Sequence, residues 1–222
     1  MQEQVEVEID GHIDLKILLL GARYTGKTTL FKILSGQRPD QSNYTTTVGV
    51  ECFNMARKVQ LTSHDEPVRF HIFDTAGTLK NRAVTLTHLR RCQCAILVVN
   101  MADRSSFDIA KYLYEEYKQH NSTAHKIKVL MLANQSEIDQ SKKNQRSLDN
   151  SAMISSGANN PVEAFCRQQN IEYQEVNLKT NPADVKSFVE HYFVRFCKEN
   201  YDLLKAEKQD LEPEVGASCN LI

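Results

Sequence analysis

The sequence predicts an α/β fold in which a mostly parallel sheet carries helices on both faces, and three observations lead there. A strand at 13–20, whose apolar run suggests burial on both faces, and short continuous apolar runs at 95–99 and 129–132 have the pattern of central parallel strands. Segments with helical spacing, at 28–34 and 105–117, stand between them. Strands that alternate with helices pair in parallel, because each helix returns the chain across one face of the sheet.

The elements follow in order. An acidic leader, 1–12, precedes the strand at 13–20 and the helix at 28–34. A polar-apolar segment at 50–61 and a strict alternation at Val68, Phe70 and Ile72 form the second and third strands, joined by a hairpin at Ser63-His64-Asp65-Glu66-Pro67. The runs at 95–99 and 129–132 are the fourth and fifth strands, and the helix between them sets Phe107, Tyr112 and Leu113 among polar residues. The stretch 140–160 is rich in Ser, Asn, Gln and Lys without periodicity, so a surface insertion, partly disordered, is expected. The sixth strand is 171–176. Asn181-Pro182 then supplies an N-cap and a proline at the first helical position, ahead of a closing helix with Val185, Phe188, Val189, Tyr192, Phe193 and Phe196 on one face. The domain is read as 13–204, and 205–222, polar with Pro213 and Gly216, as a flexible hypervariable tail.

A formal net charge of -1 gives no general reason to expect a nucleic-acid partner. No run approaches the ~18 apolar residues needed to cross a bilayer, and the acidic start lacks the parts of a signal peptide. A place on the cytoplasmic side is therefore expected. The six cysteines, Cys52, Cys92, Cys94, Cys166, Cys197 and Cys219, form no C-x-x-C pair and no zinc spacing with histidine. Free thiols are expected, the first five structural.

Gly21-Ala22-Arg23-Tyr24-Thr25-Gly26-Lys27-Thr28, between the first strand and the first helix, matches the P-loop pattern G-x-x-x-x-G-K-[ST]. Glycines let such a loop turn its backbone N–H groups toward phosphates, the lysine reaches the outer phosphates, and the hydroxyl after it suits Mg²⁺. The candidate phosphate contacts are Arg23, Tyr24, Thr25, Gly26, Lys27, Thr28 and Thr29.

Two later segments resemble the switch segments of the Ras superfamily: Thr45-Thr46-Thr47-Val48-Gly49-Val50-Glu51 and Asp74-Thr75-Ala76-Gly77. The likeness extends over about 15–200. Val48-Gly49-Val50-Glu51, Ala95-Ile96-Leu97-Val98-Val99-Asn100 and Asp103-Arg104-Ser105-Ser106-Phe107 are most similar to the Rab branch. The resemblance implies a P-loop NTPase small G domain with a six-stranded sheet, binding GTP or GDP with Mg²⁺. It implies Thr28, Thr47 and Asp74 at the metal, Lys27 and Thr47 in catalysis, Gly77 at the γ-phosphate, and Tyr44 in the nucleotide site. A Rab-like protein switches vesicle-mediated trafficking, with effectors on its switch regions, an exchange factor, and GDP-dissociation-inhibitor or escort-type proteins as partners.

Several positions depart from the family pattern. Thr78 stands where glutamine usually orients the attacking water, and its short side chain should slow hydrolysis. Arg23 and Tyr24 replace small residues and would crowd an arginine finger, or Arg23 supplies that charge itself. The base-reading Asn-Lys-x-Asp becomes Asn134-Gln135-Ser136-Glu137, and Ser-Ala-Lys becomes Asn177-Leu178-Lys179. Glu137 keeps the carboxylate that reads guanine, whereas Gln135 loses a charge. Amides of Leu178 and Lys179 would meet the base oxygen. At the end, Cys219-Asn220-Leu221-Ile222 fits a C-a-a-X prenylation frame, so reversible membrane attachment and shuttling with the cytosol are expected. The rival expectation is a pseudo-GTPase serving as a non-catalytic scaffold.

Overall fold

The structure, a computed structural model, describes residues 13–39, 47, 49–61, 65–78, 82–121, 128–136, 154 and 160–210. Among these the order is β1 Ile13–Leu20, α1 Lys27–Leu34, β2 Val50–Gln60, β3 Asp65–Thr75, α2 Arg82–Leu89, β4 Cys94–Asn100 and α3 Arg104–Asn121. β5 Lys128–Asn134, α4 Pro161–Gln169, β6 Glu172–Val176, α5 Pro182–Glu199 and α6 Tyr201–Asp210 follow.

The sheet runs β2-β3-β1-β4-β5-β6. The β2–β3 pair is antiparallel and the others are parallel, as the alternation of elements predicts. β1 lies between β3 and β4, so the strand order reverses at its C-terminal end. Open α/β sheets bind ligands at that kind of position, and residues 21–26 begin there.

Alternation along β1 explains the two cores. Leu15, Ile17 and Leu19 face one side with Phe31 of α1, Val189 and Phe193 of α5 and Leu204 of α6. Leu18 and Leu20 face the other with Leu89 of α2, Phe107 and Tyr117 of α3, and Val162 and Cys166 of α4. A strand buried on both faces needs apolar residues at every position, which is why 17–20 reads as an unbroken run. Phe70 stacks on Phe193 at 5.3 Å between ring centroids and fixes α5 against β3.

Several expectations are corrected. The third strand starts at Asp65, so Asp65, Glu66 and Pro67 belong to the strand and pair with Gln60, Val59 and Lys58; Ser63 and His64 of the expected turn lie outside the described residues. Asn181 precedes α5 but its side chain makes no cap hydrogen bond. Asn160 does cap, accepting from the amides of Val162 at 2.9 Å and Glu163 at 3.3 Å, and starts a helix where the sequence reading had none. The expected tail is helical as far as Asp210, because Leu204 reaches the core and the Tyr201 hydroxyl donates to Glu66. Cys52 is exposed, unlike the four other described cysteines.

Candidate nucleotide-binding site

The loop that leaves β1 is shaped by close approaches. Gly21 has φ +146°, and a Cβ there would lie 2.4 Å from the Val98 carbonyl oxygen. Gly26 has φ +106°, and a Cβ would meet Leu178 Cδ1 at 2.6 Å and Asn134 Nδ2 at 2.8 Å. Only glycine fits either place. α1 starts directly after Gly26, with no side chain capping its first turn and no acidic residue in it. The start of the helix therefore has neither a side-chain cap nor an acidic residue to compete for an anion, which helix N-termini attract.

Lys27 is buried, and its Nζ donates to the Ala22 carbonyl at 2.6 Å. Burial lowers its pKa to about 8, opposed by the charge of Asp74. Thr25 donates its hydroxyl to the same Ala22 carbonyl at 3.1 Å. Arg23 and Tyr24 project from the loop as a pair: Arg23 Nη2 donates to the Tyr24 hydroxyl at 3.0 Å, and the guanidinium lies 5.0 Å from the ring centroid. Tyr24 is 65% exposed and has φ +60°, which an aromatic residue rarely adopts. Thr29 lies in the first turn of α1.

Three residues far apart in sequence meet beside Lys27. Thr28 Oγ1 donates to Asp74 Oδ2 at 2.6 Å and lies 2.8 Å from Thr47 Oγ1, which is itself 3.3 Å from Asp74 Oδ2. Asp74, the next-to-last residue of β3, pairs with Leu19 of β1, so the parallel pairing carries it to the mouth of the loop. Its pKa is raised by burial, against the Thr28 hydroxyl, the Lys27 charge and the Thr47 hydroxyl, while Glu51 adds to the rise. Asp74 Oδ1 is buried without a hydrogen-bond partner. Two hydroxyls and a carboxylate, one oxygen of which is orphaned, form a hard, all-oxygen donor set, so the residues present fit Mg²⁺. No group of three His, Cys, Asp or Glu suited to a metal occurs among the described residues.

The two segments that resemble switches touch each other and the loop. Ala76 N donates to the Gly49 carbonyl at 3.1 Å. A Cβ on Gly77 would lie 2.6 Å from each of Ala22 C, Arg23 N and Lys27 Nζ, so this backbone sits directly on the loop. Thr78 Oγ1 is buried with no hydrogen-bond partner.

On the other side of Gly26, Asn134 is a crosslink. Its Nδ2 donates to the Thr25 carbonyl at 3.0 Å, and its Oδ1 accepts from Ser136 N at 3.0 Å and Ser136 Oγ at 2.7 Å. Gln135 donates its backbone N–H to Val176 O at 2.8 Å and its side-chain amide to Glu175. The amides expected at the base already have protein partners: Leu178 N donates to Asn134 Oδ1 at 3.5 Å, and Lys179 N to Asn177 Oδ1 at 3.1 Å. The first is long and easily exchanged; the second belongs to a turn closed by the Asn177 side chain, which also accepts from Thr180 N. Tyr44, Glu137 and Cys219 lie outside the described residues. Sequence reasoning missed the Ala22 carbonyl, Ser136 and Glu175. Ser136 lay inside a motif already singled out, whereas Glu175 had no local signal.

A phosphate loop at the reversal point of a six-stranded sheet, with two threonines and an aspartate gathered beside its lysine, is the architecture of a small G domain. Residues 16–199 match the Ras family model, and the chain belongs to that family of small GTPases, as a divergent, Rab-like member. It is similar to the Ras-related protein RABE1e of Arabidopsis thaliana, 26% identical over 200 residues that cover 90% of this chain and 81% of that protein. Ras-related protein RABE1d of the same plant is 26% identical over 200 residues, 90% of this chain and 82% of the relative. Among the described residues no helix is long and apolar enough to cross a membrane.

Proposed function

We propose that this chain is a GTP/GDP-binding switch in intracellular membrane trafficking that hydrolyses GTP slowly. The meeting of the Thr28 and Thr47 hydroxyls on Asp74 Oδ2, beside the buried Lys27, carries the reading. In it, the loop amides and Lys27 hold the phosphates, while Thr28, Thr47 and Asp74 hold Mg²⁺. The metal supplies positive charge that offsets charge on the outer phosphate oxygens. Gly77 meets the terminal phosphate through its amide, and Asn134, Gln135, Glu137, Leu178 and Lys179 border the base, with Tyr44 also in the nucleotide site. Loss of the terminal phosphate frees the segments around Thr47 and Gly77, and effectors read that change.

Slow turnover follows from two features. Thr78 has a short side chain whose hydroxyl is enclosed, so it does not orient water as a glutamine would. The stacked Arg23–Tyr24 pair occupies the rim where an activating protein would insert an arginine, a contribution of ~10³ to 10⁵ in rate elsewhere. Exchange factors and GDP-dissociation-inhibitor or escort-type proteins are the further partners, and a prenyl group on Cys219 anchors the protein reversibly to the cytoplasmic side of a membrane.

Mass spectrometry of the nucleotide that copurifies with the protein tests the reading, together with thermal shift in GDP, GTP and ATP. Guanine nucleotide in the wild type and its loss in Lys27→Ala are expected. A protein that carries none and gains no stability from any of the three overturns it. The second reading, a pseudo-GTPase scaffold, draws on the enclosed Thr78 hydroxyl; it predicts GTP bound and unchanged after prolonged incubation with Mg²⁺.

A further inference from the structure

Glu175 lies on β6 next to Ala133 of β5, away from the phosphate loop, and no motif points to it. Yet its carboxylate gathers three donors. Oε2 accepts from Gln135 Nε2. Oε1 accepts from the Tyr173 hydroxyl at 2.8 Å and from Asn160 Nδ2 at 3.1 Å. Asn160 is buried and fully used: its Oδ1 caps α4, and its Nδ2 also donates to the Tyr173 hydroxyl at 2.7 Å. The anchor under Glu175 is therefore a buried helix cap and the half-buried strand β6.

Gln135 is the free end of this chain of contacts. It follows Asn134, whose amide spans to the phosphate loop at Thr25, so whatever holds residues 134–136 also holds the ledge beside Gly26. The side chain of Gln135 is exposed and, without a partner, would sample many rotamers. A carboxylate already fixed by two other donors removes that freedom before any ligand arrives. Charge on the acceptor strengthens the bond, and exposure to water reduces the gain.

We propose that Glu175 is a positioning residue for nucleotide retention: it clamps Gln135 across the base and slows nucleotide release, acting only through that side chain. This rests on the guanine-nucleotide reading above. The clamp makes two demands. The residue at 135 must be a donor long enough to reach β6, and residue 175 must offer an oxygen that its other two partners leave free.

Release of a fluorescent GDP analogue, measured by stopped flow with excess unlabelled GDP and Mg²⁺, tests the clamp. Glu175→Ala and Gln135→Ala should each speed release about fivefold. The double variant should be no faster than either single one, because both remove the same contact. Tyr173→Phe removes a donor to Glu175 but leaves Gln135 in reach, and should change release less than twofold. A loss of packing alone would instead make Tyr173→Phe as fast as Glu175→Ala and the two alanine effects additive. Either result, or unchanged release in Glu175→Ala, overturns the proposal. If the wild type binds no GDP analogue at all, the guanine-nucleotide reading itself has failed.

Discussion

Gly77→Ala isolates the contact between the second switch segment and the phosphate loop. A Cβ at this position falls 2.6 Å from Ala22 C, Arg23 N and Lys27 Nζ. Two of these are backbone atoms of a loop pinned by Gly21 and Gly26, and the third is tied to the Ala22 carbonyl at 2.6 Å. None can retreat cheaply, so the segment carrying residue 77 must lift. Overpacking of this kind costs ~1 to 3 kcal/mol. Under the proposed role of the Gly77 amide, that cost falls only on the state in which the segment lies on the loop. The triphosphate analogue would then lose about 5- to 150-fold in affinity relative to GDP. Titration calorimetry with GDP and with a non-hydrolysable GTP analogue measures the ratio. Equal losses for both ligands, or none, would refute the reasoning and leave Gly77 a packing residue only.

Three further outcomes are expected. Thr78→Gln should raise single-turnover GTP hydrolysis about tenfold or more, and a rate no higher than wild type would remove Thr78 as the cause of slow turnover. Phe193→Ala empties a fully buried site stacked on Phe70 and should lower unfolding free energy by ~3 to 5 kcal/mol in a urea titration with GDP present; less than ~1 kcal/mol would contradict the packing described. Iodoacetamide at pH 8 should label Cys52 alone among the five described cysteines. Burial pushes Cys92, Cys166 and Cys197 up to about 12 and Cys94 higher still. Peptide mapping that found label on Cys94 in folded protein would contradict that burial.

How legible each part was depends on the range of the interaction that creates it. β4 and β5 were plain because burial at nearly every position leaves an unbroken apolar run, and the face of α5 because its burial follows the helical period. α2 was not read: Val84, Thr85 and Thr87 are β-branched, and Val84 is exposed, so neither propensity nor an apolar stripe marks it. α4 buries only Val162 and Cys166, too few for a periodic signal, although Asn160-Pro161 carries the same start signal as Asn181-Pro182. The two Asn-Pro pairs behave oppositely as caps because a cap depends on backbone direction, which residue identity does not set.

By itself the sequence determined the phosphate loop, the strand before it and the family. Each rests on residues adjacent along the chain, whose spacing survives whatever the remainder does. Tertiary structure alone decided that Thr28 and Thr47 share one oxygen of Asp74, that Gly77 lies on Lys27, and that Glu175 holds Gln135. Those meetings join residues that neighbour one another only after parallel strands are laid side by side. The register of β1 with β3 and of β5 with β6 sets them, and no local pattern encodes a register between strands so far apart.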